Sequence, residues 1–67
     1  MTTYKTTANL NQRKGAGTLF PVIQTIPTDK KVSHYGYVFE DETNTLWYLV
    51  DYNGKMGFCS GKYLKEV

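Results

Sequence analysis

The sequence predicts a small all-β fold, a barrel of five to six short antiparallel strands, and three observations carry that reading. Apolar residues at helical spacing are nearly absent, whereas short β-branched or aromatic runs bounded by Gly, Pro, Asn and Asp recur from end to end. DYNGKMGF, residues 51–58, sets Asn53-Gly54 between two apolar runs, a strong hairpin signal. The chain has 67 residues, and so short a chain buries only about 60 % of its unfolded surface, enough for one core and one domain. Closing the strands into a barrel leaves few open sheet edges.

The first strand is expected near Thr6 to Gln12. RKGAGT (13–18) follows, with two glycines two apart and no apolar anchor, and reads as a long open loop or bulged hairpin. A second strand runs from Pro21 to Ile26, PTDKK (27–31) turns the chain, and a third strand covers Lys31 to Phe39. EDETN (40–44) is an acidic, polar excursion across the surface. Thr45 to Tyr52 and Lys55 to Ser60 make the hairpin, a short 3-10 turn is expected near Ser60 to Tyr63, and Leu64 to Val67 is a final extended piece.

A two-residue type I′ turn at Asn53-Gly54 fixes the register of that hairpin. Counting outward, Tyr52 pairs with Lys55, Asp51 with Met56, Val50 with Gly57, Leu49 with Phe58, Tyr48 with Cys59 and Trp47 with Ser60. Tyr48, Val50, Tyr52, Gly57 and Cys59 then share the core face, with Leu10, Val22, Ile26, Val32 and Leu64 as neighbours inside. Trp47, Leu49, Asp51, Met56, Phe58 and Ser60 share the other face. So apolar a surface needs cover, from residues 35–44, a ligand or a second chain.

Composition excludes several function classes. Eight Lys/Arg against six Asp/Glu give a formal charge of +2, without the clustering of a nucleic-acid binder. A single cysteine, Cys59, permits no internal disulfide, and one histidine, His34, leaves too few soft ligands for zinc, so no cofactor or metal is expected. No segment approaches the roughly 20 apolar residues of a membrane span, and MTTYKTTANL lacks a signal peptide's apolar stretch; membrane insertion is not expected, and export would depend on other sequence or on lysis. Six Tyr, three Phe and one Trp exceed what so small a core encloses, so several should meet solvent or a partner.

ANLNQRKGAGTLFPVIQTIP (8–27), KKV (30–32) and WYLVDYNGKMGFCSGKYLK (47–65) together resemble a bacterial SH3 domain of the kind found in phage endolysins, autolysins and other peptidoglycan hydrolases. The likeness covers nearly the whole chain, in order. It implies an SH3-like barrel and a non-catalytic module that targets a lytic enzyme to the wall through stem peptide, cross-bridge or glycan. It further implies an extracellular location at the bacterial wall and a parent amidase, peptidase or muramidase, with Met1 a start made by excision or by internal translation. Gln12 stands where Val is usual, Lys14 and Ala16 replace Ser and Pro, and Cys59 replaces Val. Leu49 and Met56 replace residues that are normally polar, and the 35–44 connection is longer than the common form.

Ligand contact is expected in a shallow groove beside Asn11 to Phe20. Asn11 and Arg13 share a strand face that borders the long loop in this family, and either ties the loop to backbone carbonyls or meets ligand. Trp47 is a stacking plate or is packed against the Arg13 to Phe20 loop. Tyr35, Tyr37 and Phe39 alternate, as hairpin cover or as a binding platform whose tyrosines offer hydroxyls. Phe20, Phe58 and Tyr63 complete the ligand-binding candidates, and Leu49 and Met56 are candidates for an interface with a second copy or with the parent catalytic domain. Lys14, Lys62 and Lys65 read as solvated charges, with attraction of wall phosphates or carboxylates as the alternative, and Asp41 with Glu42 read as plain surface neighbours. Cys59 with His34 lacks an orienting carboxylate, so catalysis is not expected. Polyproline recognition is disfavoured because the Ala-Leu-Tyr-Asp-Tyr type of motif is missing.

Overall fold

A computed structural model describes residues 1–67 and is all-β. Seven strands run β1 (Thr2–Thr6), β2 (Leu10–Arg13), β3 (Val22–Ile26), β4 (Lys31–Glu40), β5 (Leu46–Tyr52), β6 (Lys55–Ser60) and β7 (Leu64–Glu66), with a 3-10 turn at Gly61–Tyr63 before the last. They form one antiparallel sheet in the order β3-β2-β6-β5-β4-β1-β7, curled as a small SH3-like barrel.

The expected first strand, Thr6 to Gln12, is in fact two strands with a break at residues 7–9, and the strand count rises to seven. β1 carries no apolar signal of its own. It is held by its neighbours: its backbone pairs with β4 and β7, and buried Thr6 donates its hydroxyl to Pro27 O (2.7 Å) and accepts from Lys30 N (3.0 Å). Threonine serves here because its hydroxyl satisfies turn groups that would otherwise be buried without partners.

The hairpin register is as counted, all six pairs from Tyr52↔Lys55 to Trp47↔Ser60. Asn53 and Gly54 both take positive φ, 53° and 76°, as the turn requires. Its core face is also as expected: Val50 and Cys59 are fully enclosed with Leu10, Ile26 and Val32, and Tyr4, Tyr48, Tyr52 and Leu64 pack against them. Val22 is the exception, exposed at the start of edge strand β3. At one end of the core His34 joins Tyr4 and Tyr48 in an aromatic cluster, with centroids 5.3 and 4.6 Å away.

Gln12, in place of the usual Val, is fully buried and bonded on both ends. Its Nε2 donates to Val50 O (3.2 Å) and Lys55 O (2.9 Å), and its Oε1 accepts from Gln24 Nε2 (2.7 Å). Gly57 lets β2 cross this close, since a Cβ there would stand 2.8 Å from Arg13 O.

Residues 35–44 supply the cover that the outer hairpin face needs, at three places. Tyr35 Oη donates to Asp51 Oδ2 (2.9 Å), the Phe39 ring meets Phe58 edge-on at 5.4 Å, and Asp41 Oδ2 accepts from Trp47 Nε1 (2.8 Å). Trp47 is thereby only 4 % exposed, so it offers no contact to a second copy, whereas Met56 keeps 58 % of its surface. Three residues of β4 stand opposite one of β5 between His34↔Val50 and Val38↔Tyr48, a bulge at residues 35–37 that adds two residues to β4. Tyr37 stands out on it, and the Tyr37 carbonyl lies 3.1 Å from His34 Nε2.

Candidate functional site

β2 reaches the groove through a register shift between Gln12 and Arg13, and such a bulge re-aims the side chain that follows it. Arg13 Nη1 donates to Thr18 O (3.1 Å) and Phe20 O (2.9 Å), fastening the loop between β2 and β3. The Phe20 ring lies over Gly15 and Gly17 of the same loop, where a side chain on Gly15 would collide with it. Phe20 therefore braces the loop from the side rather than facing the groove.

The opposite bank is the loop between β4 and β5, organised by a single carboxylate. Asp41 Oδ1 accepts from Thr43 N (2.8 Å), Thr43 Oγ1 (2.7 Å) and Thr45 N (3.0 Å), while Oδ2 takes the Trp47 indole. The Trp47 N–H, followed by the Thr43 hydroxyl and the Thr45 amide, holds the Asp41 carboxyl down at about 2. Asp41 is thus the clasp between this loop and the groove floor, not a plain surface neighbour.

Between the two banks lies a shallow groove of about 370 Å³. Asn9, Leu10, Asn11 and Arg13 line one side, Thr18 the loop edge, and Asp41, Thr43 and Thr45 the other side, with Trp47, Ser60, Lys62 and Tyr63 completing it. Three of these twelve residues are hydrophobic, so most of the lining side chains carry a hydrogen-bonding group. Asn11 Oδ1 accepts from Thr25 Oγ1 (2.8 Å), which turns the amide so that its N–H groups remain for a ligand. Lys62 Nζ stands 6.0 Å from the Tyr63 ring centroid.

Of the expected ligand-binding residues, the structure brings together Asn11, Arg13, Trp47 and Tyr63. Tyr35, Tyr37, Phe20 and Phe58 lie outside the groove. Tyr35 is committed to Asp51, which raises its phenol pKa, Tyr37 is on the β4 bulge, and Phe58 packs on Phe39. Trp47 serves as a buried floor rather than an open stacking plate. Asp41, Thr43, Thr45 and Lys62 are among the eight groove residues that the sequence did not single out as ligand-binding; the D-x-T-x-T spacing ahead of Trp47 is a side-chain-capped turn pattern that could have found three of them. Leu49 is half-buried beside exposed Met56.

Nothing in the groove is arranged as a nucleophile and base. Cys59 is fully buried in the core, and burial pushes its thiol up to about 12, far from reactive at neutral pH. No group of three His, Cys, Asp or Glu side chains could hold a metal ion, and no helix is long and apolar enough to cross a membrane. No curated protein and no solved structure matches the chain. The family described as Bacterial SH3 domain matches residues 8–65, which include both banks and the floor of the groove. The chain belongs to the bacterial SH3 domain family.

Proposed function

We propose that this domain is a non-catalytic targeting module that holds a peptidoglycan hydrolase on the bacterial cell wall, outside the cell, with the groove as its contact surface. The supporting observation is the lining: Asn11, Arg13, Lys62 and Tyr63 present hydrogen-bonding groups along a shallow cleft floored by Trp47. Stem peptide, cross-bridge and glycan all offer amide or hydroxyl groups spaced along an extended chain, and an open, shallow cleft suits such polymers better than a deep pocket does. Weak, reversible contact follows from so small and open a surface, which suits an enzyme that must move across its substrate.

The test is co-sedimentation of the 67-residue chain with purified sacculi from several Gram-positive bacteria. The folded domain is expected in the pellet with at least one of these walls, and Arg13→Ala is expected to move it to the supernatant. A folded domain that stays in the supernatant with every wall sinks the proposal.

A further inference from the structure

Hydrogen bonds already made within the protein decide what chemistry the groove can still recognise. Both Nη1 hydrogens of Arg13 go to the carbonyls of Thr18 and Phe20, so its Nη1 is spent on the loop. Nε and Nη2 have no protein acceptor, and these two N–H groups form the side-on edge of the guanidinium, with the parallel geometry that matches a carboxylate. The loop bonds also hold the guanidinium plane in place before any ligand arrives, which reduces the ordering cost of binding.

Charge in the groove is unbalanced in the same sense. The chain's one ion pair joins Lys5 to Asp29 at 3.5 Å, and no carboxylate lies within pairing distance of Arg13 or Lys62. Asp41, the one carboxylate in the groove, has its oxygens occupied by four donors. Asn11 adds amide N–H groups, because its oxygen is taken by Thr25. The groove therefore offers donors and positive charge with few free acceptors.

We infer that the groove binds a free carboxylate of a peptide, seated bidentate on the Nε–Nη2 edge of Arg13 with Lys62 as the second cation. The inference rests on the wall-binding reading and deepens it: the domain reads acidic positions of wall peptides, and amidation of those positions weakens its hold. An amine-bearing group finds no open carboxylate here and is disfavoured.

Chemical-shift titration of the 15N-labelled 67-residue chain with acetyl-D-alanyl-D-alanine, its C-terminal amide and glycerol 1-phosphate tests this. The free acid is expected to bind about tenfold tighter than the amide, the size of one charge-assisted contact, with shifts centred on Asn11, Arg13 and Lys62. Arg13→Lys, which keeps the charge and loses the fork, is expected to abolish most of that preference, and Lys62→Gln, at an exposed side chain, to reduce it. Equal binding of acid and amide, shifts outside the groove, or no shift with either peptide overturns the inference. A response to glycerol 1-phosphate alone overturns it in favour of a phosphate polymer. Sacculus sedimentation run beside it separates the two readings. Acid preference without wall binding removes the wall reading and leaves the carboxylate site, and wall binding without acid preference does the reverse.

Discussion

Gln12 shows how a single buried polar side chain can be fixed by its partners rather than by its own chemistry. Its amide joins β5, the 52–55 turn and Gln24 of β3, so substitution by the apolar Val leaves two carbonyls and one amide without it. Gln12→Val is expected to lower unfolding free energy by about 1–3 kcal/mol, read by chemical denaturation. Combined with Gln24→Val, the loss should fall short of the sum of the two single losses, since the bond between them is counted twice. Additive losses would show that the two amides are not coupled. Asp41 has the opposite dependence, on solvent conditions rather than packing. Its folded pKa of about 2 lies below the ordinary 3.8, so its contribution is complete above pH 4 and is lost as pH falls through 2. The indole N–H resonance of Trp47 is expected to shift in that low range, and a midpoint near 4 would mean that the clasp is not formed. Neither residue's role was legible in the sequence. Gln12 stands in an alternating run where only its position says that it faces in, and Asp41 acts through a loop closure that brings it to Trp47, six residues on.

At the scale of elements, the β5–β6 hairpin was legible down to its register because Asn53-Gly54 admits one turn geometry and the side-chain period does the rest. β1 was not, because threonine-rich sequence without apolar alternation becomes a strand only when distant strands accept its backbone. The groove was half legible for a related reason. Asn11 and Arg13 declare their shared face by spacing, but the separation of Tyr35 and Tyr37 from them depends on a two-residue bulge in β4 with Gly36 at φ 96°. The crossing of β2 over β6 at Gly57 carries its own prediction. Gly57→Ala places a methyl group against the Arg13 carbonyl, Ile23 and the Gln12 side chain, and is expected to cost about 1–3 kcal/mol in a denaturant titration. It should also weaken sacculus binding, because the strand displaced is the one that aims Arg13. Wild-type stability in this variant would mean that β2 and β6 are not packed so closely.

The whole molecule encloses one small core with a lone thiol at its centre, and its response to alkali follows from that. The Cys59 pKa rises from 9.0 to about 12 on folding, so stability is full below pH 9 and declines as pH climbs toward 12, where the unfolded chain ionises first. Melting temperature is expected to fall across that window, less steeply in Cys59→Val, and a thiol reagent at neutral pH should label Cys59 only as fast as the protein opens. Rapid labelling of the folded protein would contradict the enclosure. The sheet order puts β1 and β7 side by side and antiparallel, with Tyr4 opposite Glu66 and Val67 N bonded to Thr3 O at 3.1 Å. Tension applied through the first and last residues therefore loads this pair one rung at a time, as a zipper, rather than across all its rungs together. Pulled through both ends, the domain should yield at low force, losing β7 before the β5–β6 hairpin that floors the groove, so that the groove outlasts the first mechanical failure.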